Sequence, residues 1–260
     1  MELYGRDNER VVMLLHGAGL SQWSLRNVAR QLEQDYCVVL PALDGHKGSG
    51  HAFSSIEANA VRLIDWIEKK RDGRLWALGG LSLGGQVALE MLSRRPELCR
   101  YAVIESASIQ PDPLTAALIR PIFGGCYGLV KKRWFARLQY AYLGLEKTWF
   151  EDYYRDSCQI SREDMIAFLK ASVAYVPKAS LAHCRAKTLI VAGGREVRRI
   201  RRSAEQLNEI LPDRELRVLQ GLRHGELSIN DPERYTQLLR RWMEAPVEAP
   251  MDSVGESDRK

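Results

Sequence analysis

Cysteine is scarce in this sequence and carries no pattern. Cys37, Cys99, Cys126, Cys158 and Cys184 lie far apart, an odd number without a Cys-x-x-Cys pair. A disulfide framework is therefore not expected, and reduced thiols in a cytoplasmic protein fit better. Metal-ligand spacing is also lacking, so no zinc site is expected. The N-terminus, Met1–Arg10, has no basic segment followed by an apolar run, which argues against a secretory signal peptide. No stretch reads as approaching the roughly 18 apolar residues of a spanning helix, so stable membrane insertion is not expected. Charge of one sign is not in large excess: a net +5 over 260 residues is mild and gives no argument for nucleic acid. Oligomeric state leaves no trace.

What is present is alternation. Short apolar runs recur at Val11–His16, Tyr36–Leu40, Leu75–Leu78, Tyr101–Ile104, Thr188–Ala192 and Glu215–Leu219. Most are continuous rather than alternating, as expected of parallel strands covered on both faces. Helical patterns separate them: Ser21–Gln34, Ile56–Lys69, Gln86–Ser93, Ile200–Leu211 and Pro232–Met243. In the second of these, Ile56, Ala60, Leu63, Ile64 and Ile67 form one stripe at helical spacing. Strand and helix in turn predict an α/β fold with a mostly parallel sheet of about six strands flanked by helices. Met1–Gly5 is a further edge-strand candidate.

Between Ala107 and Arg185 the rhythm stops. This interval is too long for a plain loop and rich in aromatics, and it reads as several helices forming a lid between the fourth and fifth strands. The expected organisation is a core over 1–106 and 186–244, a helical lid over 107–185, and a disordered tail over 245–260, where Pro, Gly, Ser and acids leave little to bury.

The strongest local signal is Gly80-Leu81-Ser82-Leu83-Gly84-Gly85, which leaves a strand and opens a helix. A serine in G-x-S-x-G at such a turn sits on strained backbone with its hydroxyl held above the sheet. Side chains at the flanking glycines would collide as the turn tightens. Other motifs follow in order: His16-Gly17-Ala18-Gly19 after the first strand, Gly45-His46-Lys47-Gly48-Ser49 after the second, Gly193-Gly194-Arg195-Glu196 after the fifth, and Gly221-Leu222-Arg223-His224-Gly225-Glu226 after the last.

From Val11 to Met243 these ordered motifs resemble the α/β-hydrolase fold family. The resemblance implies a serine nucleophile at Ser82, an oxyanion loop at His16–Gly19, an acid turn at Glu196 and a histidine loop at His224. It also places an aromatic at Trp23. Two positions depart from the pattern: Lys47 replaces the second glycine of the usual G-H-G-x-S loop, and Ala42 stands where many members carry an acid. A serine at the elbow, in place of aspartate, argues against the dehalogenase and epoxide hydrolase reactions of this fold.

The chemistry requires these parts together. A serine hydroxyl is a poor nucleophile until a base takes its proton, and His224 is the best base among five histidines. His16 reads as holding its own loop, His46 as structural, and His51 and His183 have no motif around them. A buried carboxylate must orient the imidazole. Glu196 is favoured, with Glu105, just past the fourth strand, as the rival acid; Glu226 reads as solvent-facing or capping. The backbone N–H of Leu83 is one oxyanion donor, and the resemblance makes Ala18 the other. Lid aromatics with Trp23 are expected to line an apolar acyl pocket.

Arg195, Arg198, Arg199, Arg201 and Arg202 crowd the acid turn and the helix after it, and Lys131, Lys132, Arg133 and Arg137 lie in the lid. Two readings stay open: solvated faces, or one or two arginines at the mouth of the site favouring an anionic substrate. The first functional reading is a serine hydrolase that cleaves a carboxylic ester, or a thioester or amide, through an acyl-enzyme with a Ser-His-Glu triad. The same triad could transfer the acyl group or break a carbon–carbon bond, and a non-catalytic ligand-binding protein on this fold is the reading from another class. The substrate is a small acyl compound, and no motif calls for a cofactor or metal.

Overall fold

Five of the six expected strands form because their short runs are too apolar to face water and too short to be helices; the sixth, at the sheet edge, is more polar. In the computed structural model, which describes residues 1–244, they are β2 (Val11–Leu15), β3 (Cys37–Leu40), β4 (Leu75–Leu81), β5 (Cys99–Glu105), β6 (Lys187–Gly193) and β7 (Arg214–Leu219). A seventh, β1 (Glu2–Tyr4), adds to these at the edge where Met1–Gly5 is the further strand candidate. It pairs antiparallel to β3 at the edge, with Leu3 opposite Val39. The order is β1-β3-β2-β4-β5-β6-β7, and every neighbouring pair but the first is parallel. The tail expected over 245–260 lies outside the described residues.

Helices cover both faces. Those associated with the core are α1 (Arg26–Leu32), α2 (Ile56–Lys70), α3 (Leu83–Arg94), α8 (Arg198–Ile210), α9 (Glu226–Asn230) and α10 (Pro232–Glu244). The period of two within each strand divides the apolar side chains between two cores. Met13 and Leu15 pack with Ile56, Leu63, Val87 and Leu207 on one face. Val12 and Leu14 pack with Val28, Leu32, Leu239 and Trp242 on the other. The α2 stripe lies on the buried side, and Ser55 caps the helix by accepting from Ala58 N at 3.0 Å. Only β7, at the far edge, is largely exposed, and it carries the charges Arg214, Glu215 and Arg217.

Between β5 and β6 the chain forms α4 (Pro113–Val130), α5 (Arg133–Leu143), α6 (Phe150–Ser157) and α7 (Arg162–Ala174). The expectation that no stretch approaches a spanning helix in length and apolarity is corrected here. α4 spans 18 residues at a mean hydropathy of 1.3, long and apolar enough to cross a membrane by length and composition. Its Gly, Ala, Pro and Thr, and the single charge of Arg120, hide this in the sequence. Pro121 inside it, and the burial of Ile119 and Val130, tie one face of the helix to the protein.

Candidate active site

Parallel strands end on one side of the sheet, and the functional loops gather there. The turn from β4 into α3 is the tightest of them. A Cβ at Gly80 would overlap the carbonyl oxygen of Gly84, and one at Gly84 would overlap that of Leu15, so neither position tolerates a side chain. Ser82 between them adopts φ +54° and ψ −113°, a region that non-glycine residues occupy at a cost of about 1–3 kcal/mol. Its N–H donates to Glu105 O at 2.8 Å, and its own carbonyl accepts from Gln86 N at 3.0 Å. Leu83 is the first residue of α3, so its N–H has no intrahelical acceptor.

The loops after β6 and β7 are neighbours because their strands are. Gly194 N donates to Leu219 O at 2.8 Å and Arg195 N to Leu222 O at 2.9 Å, which locks one loop to the other. His224 Nδ1 thereby lies 3.0 Å from Glu196 Oε2. Glu196 is buried, while His224 is open to solvent on part of its ring. The other carboxylate oxygen, Oε1, accepts from Ser106 Oγ at 2.6 Å and from Gly193 N at 2.8 Å. Burial pushes this carboxyl up, but His224, the Ser106 hydroxyl and the Gly193 N–H together outweigh burial and hold it below the usual range. An ionised Glu196 places the imidazole proton on Nδ1, leaving Nε2 as the basic nitrogen.

Ser106 was missed in the sequence. Like Ser82 it is a non-glycine residue at positive φ, +57°. It has no motif around it; its role comes from β5 lying beside β6.

Glu105, the rival acid, is also buried but is held differently. Its Oε1 accepts from Ser228 N at 3.3 Å, and its Oε2 has no hydrogen-bond partner among the described residues. Burial pushes its carboxyl up to about 7, against the pull of Ser228, with the charge of Glu196 adding to the rise. The structure thus brings Glu196, and not Glu105, into hydrogen-bonding contact with His224. Glu226 accepts from Arg223 N at 2.7 Å, fixing the turn that carries His224.

The remaining histidines are scaffold or surface. His16 Nδ1 faces Gly17 O at 2.9 Å, and its Nε2 accepts from Leu43 N at 3.1 Å. His46 Nδ1 faces Asp44 O at 3.0 Å, and its Nε2 accepts from Gly19 N at 3.0 Å. Burial pushes them down to about 3 and about 4 respectively, so both are neutral at physiological pH and can accept. His51 and His183 are exposed. The substituted Lys47 is an ion-pair residue. Its Nζ lies 3.0 Å from Asp156 Oδ1 on α6, and Asp156 Oδ2 accepts from Ser21 Oγ at 2.6 Å. Asp156 is buried.

Ser82 and His224 both line a small pocket of about 60 Å³ whose wall includes Gly17, Ala18 and Leu143. Two larger spaces flank it. One, of about 430 Å³, is apolar and lined by Ala18, Gly19, Phe123, Val130, Leu138 and Leu143 among others. The other, of about 640 Å³, is lined by Ser82, His224 and Glu196 together with Arg195, Arg199 and Arg223. Arg199 is paired with Asp112 at 2.9 Å, whereas Arg195 and Arg223 have no ion-pair partner among the described residues. Arg198, Arg201 and Arg202 lie exposed on α8, away from this cleft. Trp23 does not line any of these spaces, which corrects its expected place in the pocket. The 3-10 turn Gln22–Leu25 buries it, and its ring stacks on Trp149 at 5.8 Å.

Comparison with known proteins agrees with this architecture. A thermostable monoacylglycerol lipase from Bacillus sp. (strain H-257) is 27% identical over 113 residues, 40% of this chain. The aligned stretch spans only 43% of that lipase. An esterase from Thermogutta terrifontis superposes with a TM-score of 0.76 at 19% identity, over 93% of this chain and 91% of its own. The enol-lactonase from Burkholderia xenovorans does so at 0.79 and 13%, over 93% and 95%. At such identities the structural likenesses speak for the fold alone. The family model described as "Alpha/beta hydrolase family" matches residues 12–238, and the chain belongs to that family.

Proposed function

We propose that this chain is a serine hydrolase that cleaves carboxylic esters through an acyl-enzyme, with Ser82, His224 and Glu196 as its triad. The observation that carries the proposal is the buried carboxylate 3.0 Å from an imidazole that shares a pocket with a strained elbow serine. In this reading His224 Nε2 takes the Ser82 proton as Oγ bonds to the acyl carbon. The N–H groups of Leu83 and Ala18 hold the resulting oxyanion. His224 then returns the proton to the departing alcohol oxygen as the C–O bond breaks, and water releases the acid by the same route. A small-molecule acyl substrate and water suffice for every step, with no cofactor.

The two flanking spaces divide the substrate. The leaving alcohol must lie where His224 can protonate it, which is the arginine-lined cleft. The acyl chain then lies on the Ala18 side, in the apolar cavity beneath α4–α7, which serve as a lid. Thioesters and amides fit the same geometry. Acyl transfer to an alcohol acceptor would use the identical acyl-enzyme.

A fluorophosphonate probe tests the reading. We expect covalent labelling, mapped to Ser82 by peptide mass spectrometry, together with turnover of p-nitrophenyl butyrate and octanoate. A wild-type enzyme that neither labels nor turns over either ester would refute it.

The unpaired arginines predict an anionic leaving group. The octanoate ester of 3-hydroxypropionate is expected to show kcat/KM about tenfold above that of the matching amide, since two exposed ion pairs are each worth up to about 1 kcal/mol. Arg195→Gln with Arg223→Gln should bring the ratio near one, while Arg201→Gln with Arg202→Gln leaves it. A ratio near one in the wild type would mean the cleft is merely solvated.

A further inference from the structure

The outer surface of the inserted helices is unusual for a protein face in water. On α4, Leu114, Leu118, Ile122 and Leu129 are 73%, 47%, 52% and 37% exposed, although they recur at spacings that place them on one side of the helix. Only 11% of this apolar 18-residue stretch is buried. The patch continues onto α5, where Trp134 is 58% and Leu138 is 61% exposed. Isolated exposed leucines need no explanation, but a contiguous apolar strip of this kind marks an interaction surface.

Charge identifies the partner. From Pro113 to Leu145 the sequence has no acidic residue and five basic ones, Arg120, Lys131, Lys132, Arg133 and Arg137, all exposed. Arg133 is paired with Glu151 and lies over the rings of Phe150 and Tyr154. The others have no ion-pair partner among the described residues. An apolar helix face bordered by lysine and arginine, with an exposed tryptophan beside it, suits the boundary between acyl chains and anionic headgroups. A second copy of this chain docking through the same face would set these cations against their symmetry mates.

We propose that the outer face of α4 and the start of α5 is a docking surface for an anionic lipid membrane, on which the protein sits without spanning it. Lodging rather than crossing follows from the inner face of α4: Ile119 and Val130 are buried, and the Tyr127 hydroxyl donates to Ile160 O. Leu138 belongs both to the exposed strip and to the wall of the 430 Å³ apolar cavity. Docking therefore turns the mouth of that cavity towards the acyl chains. The docking does not depend on the hydrolytic reading, since binding can be read without turnover.

Flotation of the full chain with vesicles of non-hydrolysable ether-linked phosphatidylcholine, with or without ether-linked phosphatidylglycerol, tests this directly. The wild type is expected to float with the anionic vesicles and at least about tenfold less with the neutral ones, and added salt should release it. Leu118→Glu with Ile122→Glu should lower partitioning by about tenfold or more. Lys131→Gln, Lys132→Gln and Arg137→Gln together should lower it roughly a hundredfold on anionic vesicles, at about fivefold per charge. If the glutamate pair disturbs folding, judged by its thermal melt, the glutamine triple, which alters only exposed side chains, carries the test. Three results would overturn the proposal: no flotation of the wild type, flotation indifferent to these substitutions, or a solution dimer that Leu118→Glu with Ile122→Glu dissociates.

Discussion

Ser82→Ala is expected to lower kcat for ester hydrolysis by about a millionfold, while leaving substrate binding nearly intact. The reason lies in the turn and not in the hydroxyl alone. The glycines at 80 and 84 let the elbow close against Leu15, which fixes residue 82 in the small pocket it shares with His224. Alanine keeps that backbone and removes only Oγ, so kcat should fall without a compensating change in KM. Ser82→Gly supplies an internal control. It removes the same oxygen but also relieves the positive φ of +54°, and it is expected to be about 1 kcal/mol more stable than wild type after glycine's entropy is set against the released strain. Loss of activity with a higher melting temperature cannot be mistaken for misfolding. Retention of more than a few per cent of activity in either variant would remove Ser82 from the mechanism.

The second large effect separates the two buried glutamates. Glu196→Ala should lower kcat by about ten-thousandfold, because an imidazole without its carboxylate loses both its tautomer and the partner for its transient positive charge. Glu105→Gln should leave activity within a few-fold. Its effect falls on stability, with a sign that depends on pH. The Glu105 carboxyl, pushed from 4.5 to about 7, binds its proton more tightly in the folded than in the unfolded chain. Folded protein is therefore destabilised as pH rises from about 4.5 through about 7, by an amount that levels off near 3 kcal/mol at higher pH on the order-of-magnitude scale of about 1.4 kcal/mol per pH unit. Glutamine carries no such charge and can keep the acceptor for Ser228 N. The variant should thus gain most over wild type at pH 8 and little at pH 4.5 in paired thermal melts. An activity loss in Glu105→Gln as deep as that in Glu196→Ala would reverse the assignment.

How much of this could be read from the sequence depends on the range of the interactions. The elbow was legible because its demands are local: glycines within two residues of the serine, a strand before and a helix after. The meeting of Glu196 with His224 was legible for a related reason, since each follows one of two adjacent parallel strands. Ser106 was not, because its contact spans the sheet from β5 to a loop after β6, and nothing in a serine after a glutamate announces it. Trp23 shows the opposite failure. The resemblance places an aromatic there and the pocket was its expected place, but a sequence position carries no depth, and packing against Trp149 buries it. β1 is only three residues long and draws its stability from Val38–Leu40 across the ladder. Lys47 stands out in the sequence only as a replaced glycine; its partner Asp156 lies 109 residues away, beyond any local pattern.

That ion pair links two parts of the molecule that chemistry would otherwise treat separately. Asp156 grips Lys47, next to the histidine that receives the Gly19 N–H, and also Ser21, two residues past that glycine. Its own helix supplies Tyr153 and Ser157 to the walls of the apolar cavity. If the apolar cavity holds the acyl chain as proposed, a chain too bulky for it would press on α6 and, through Asp156, on the backbone amides opposite Leu83. Poorly fitting chains would then be discriminated by slower bond-making as well as by weaker capture, and selectivity for length would need no second, proofreading compartment.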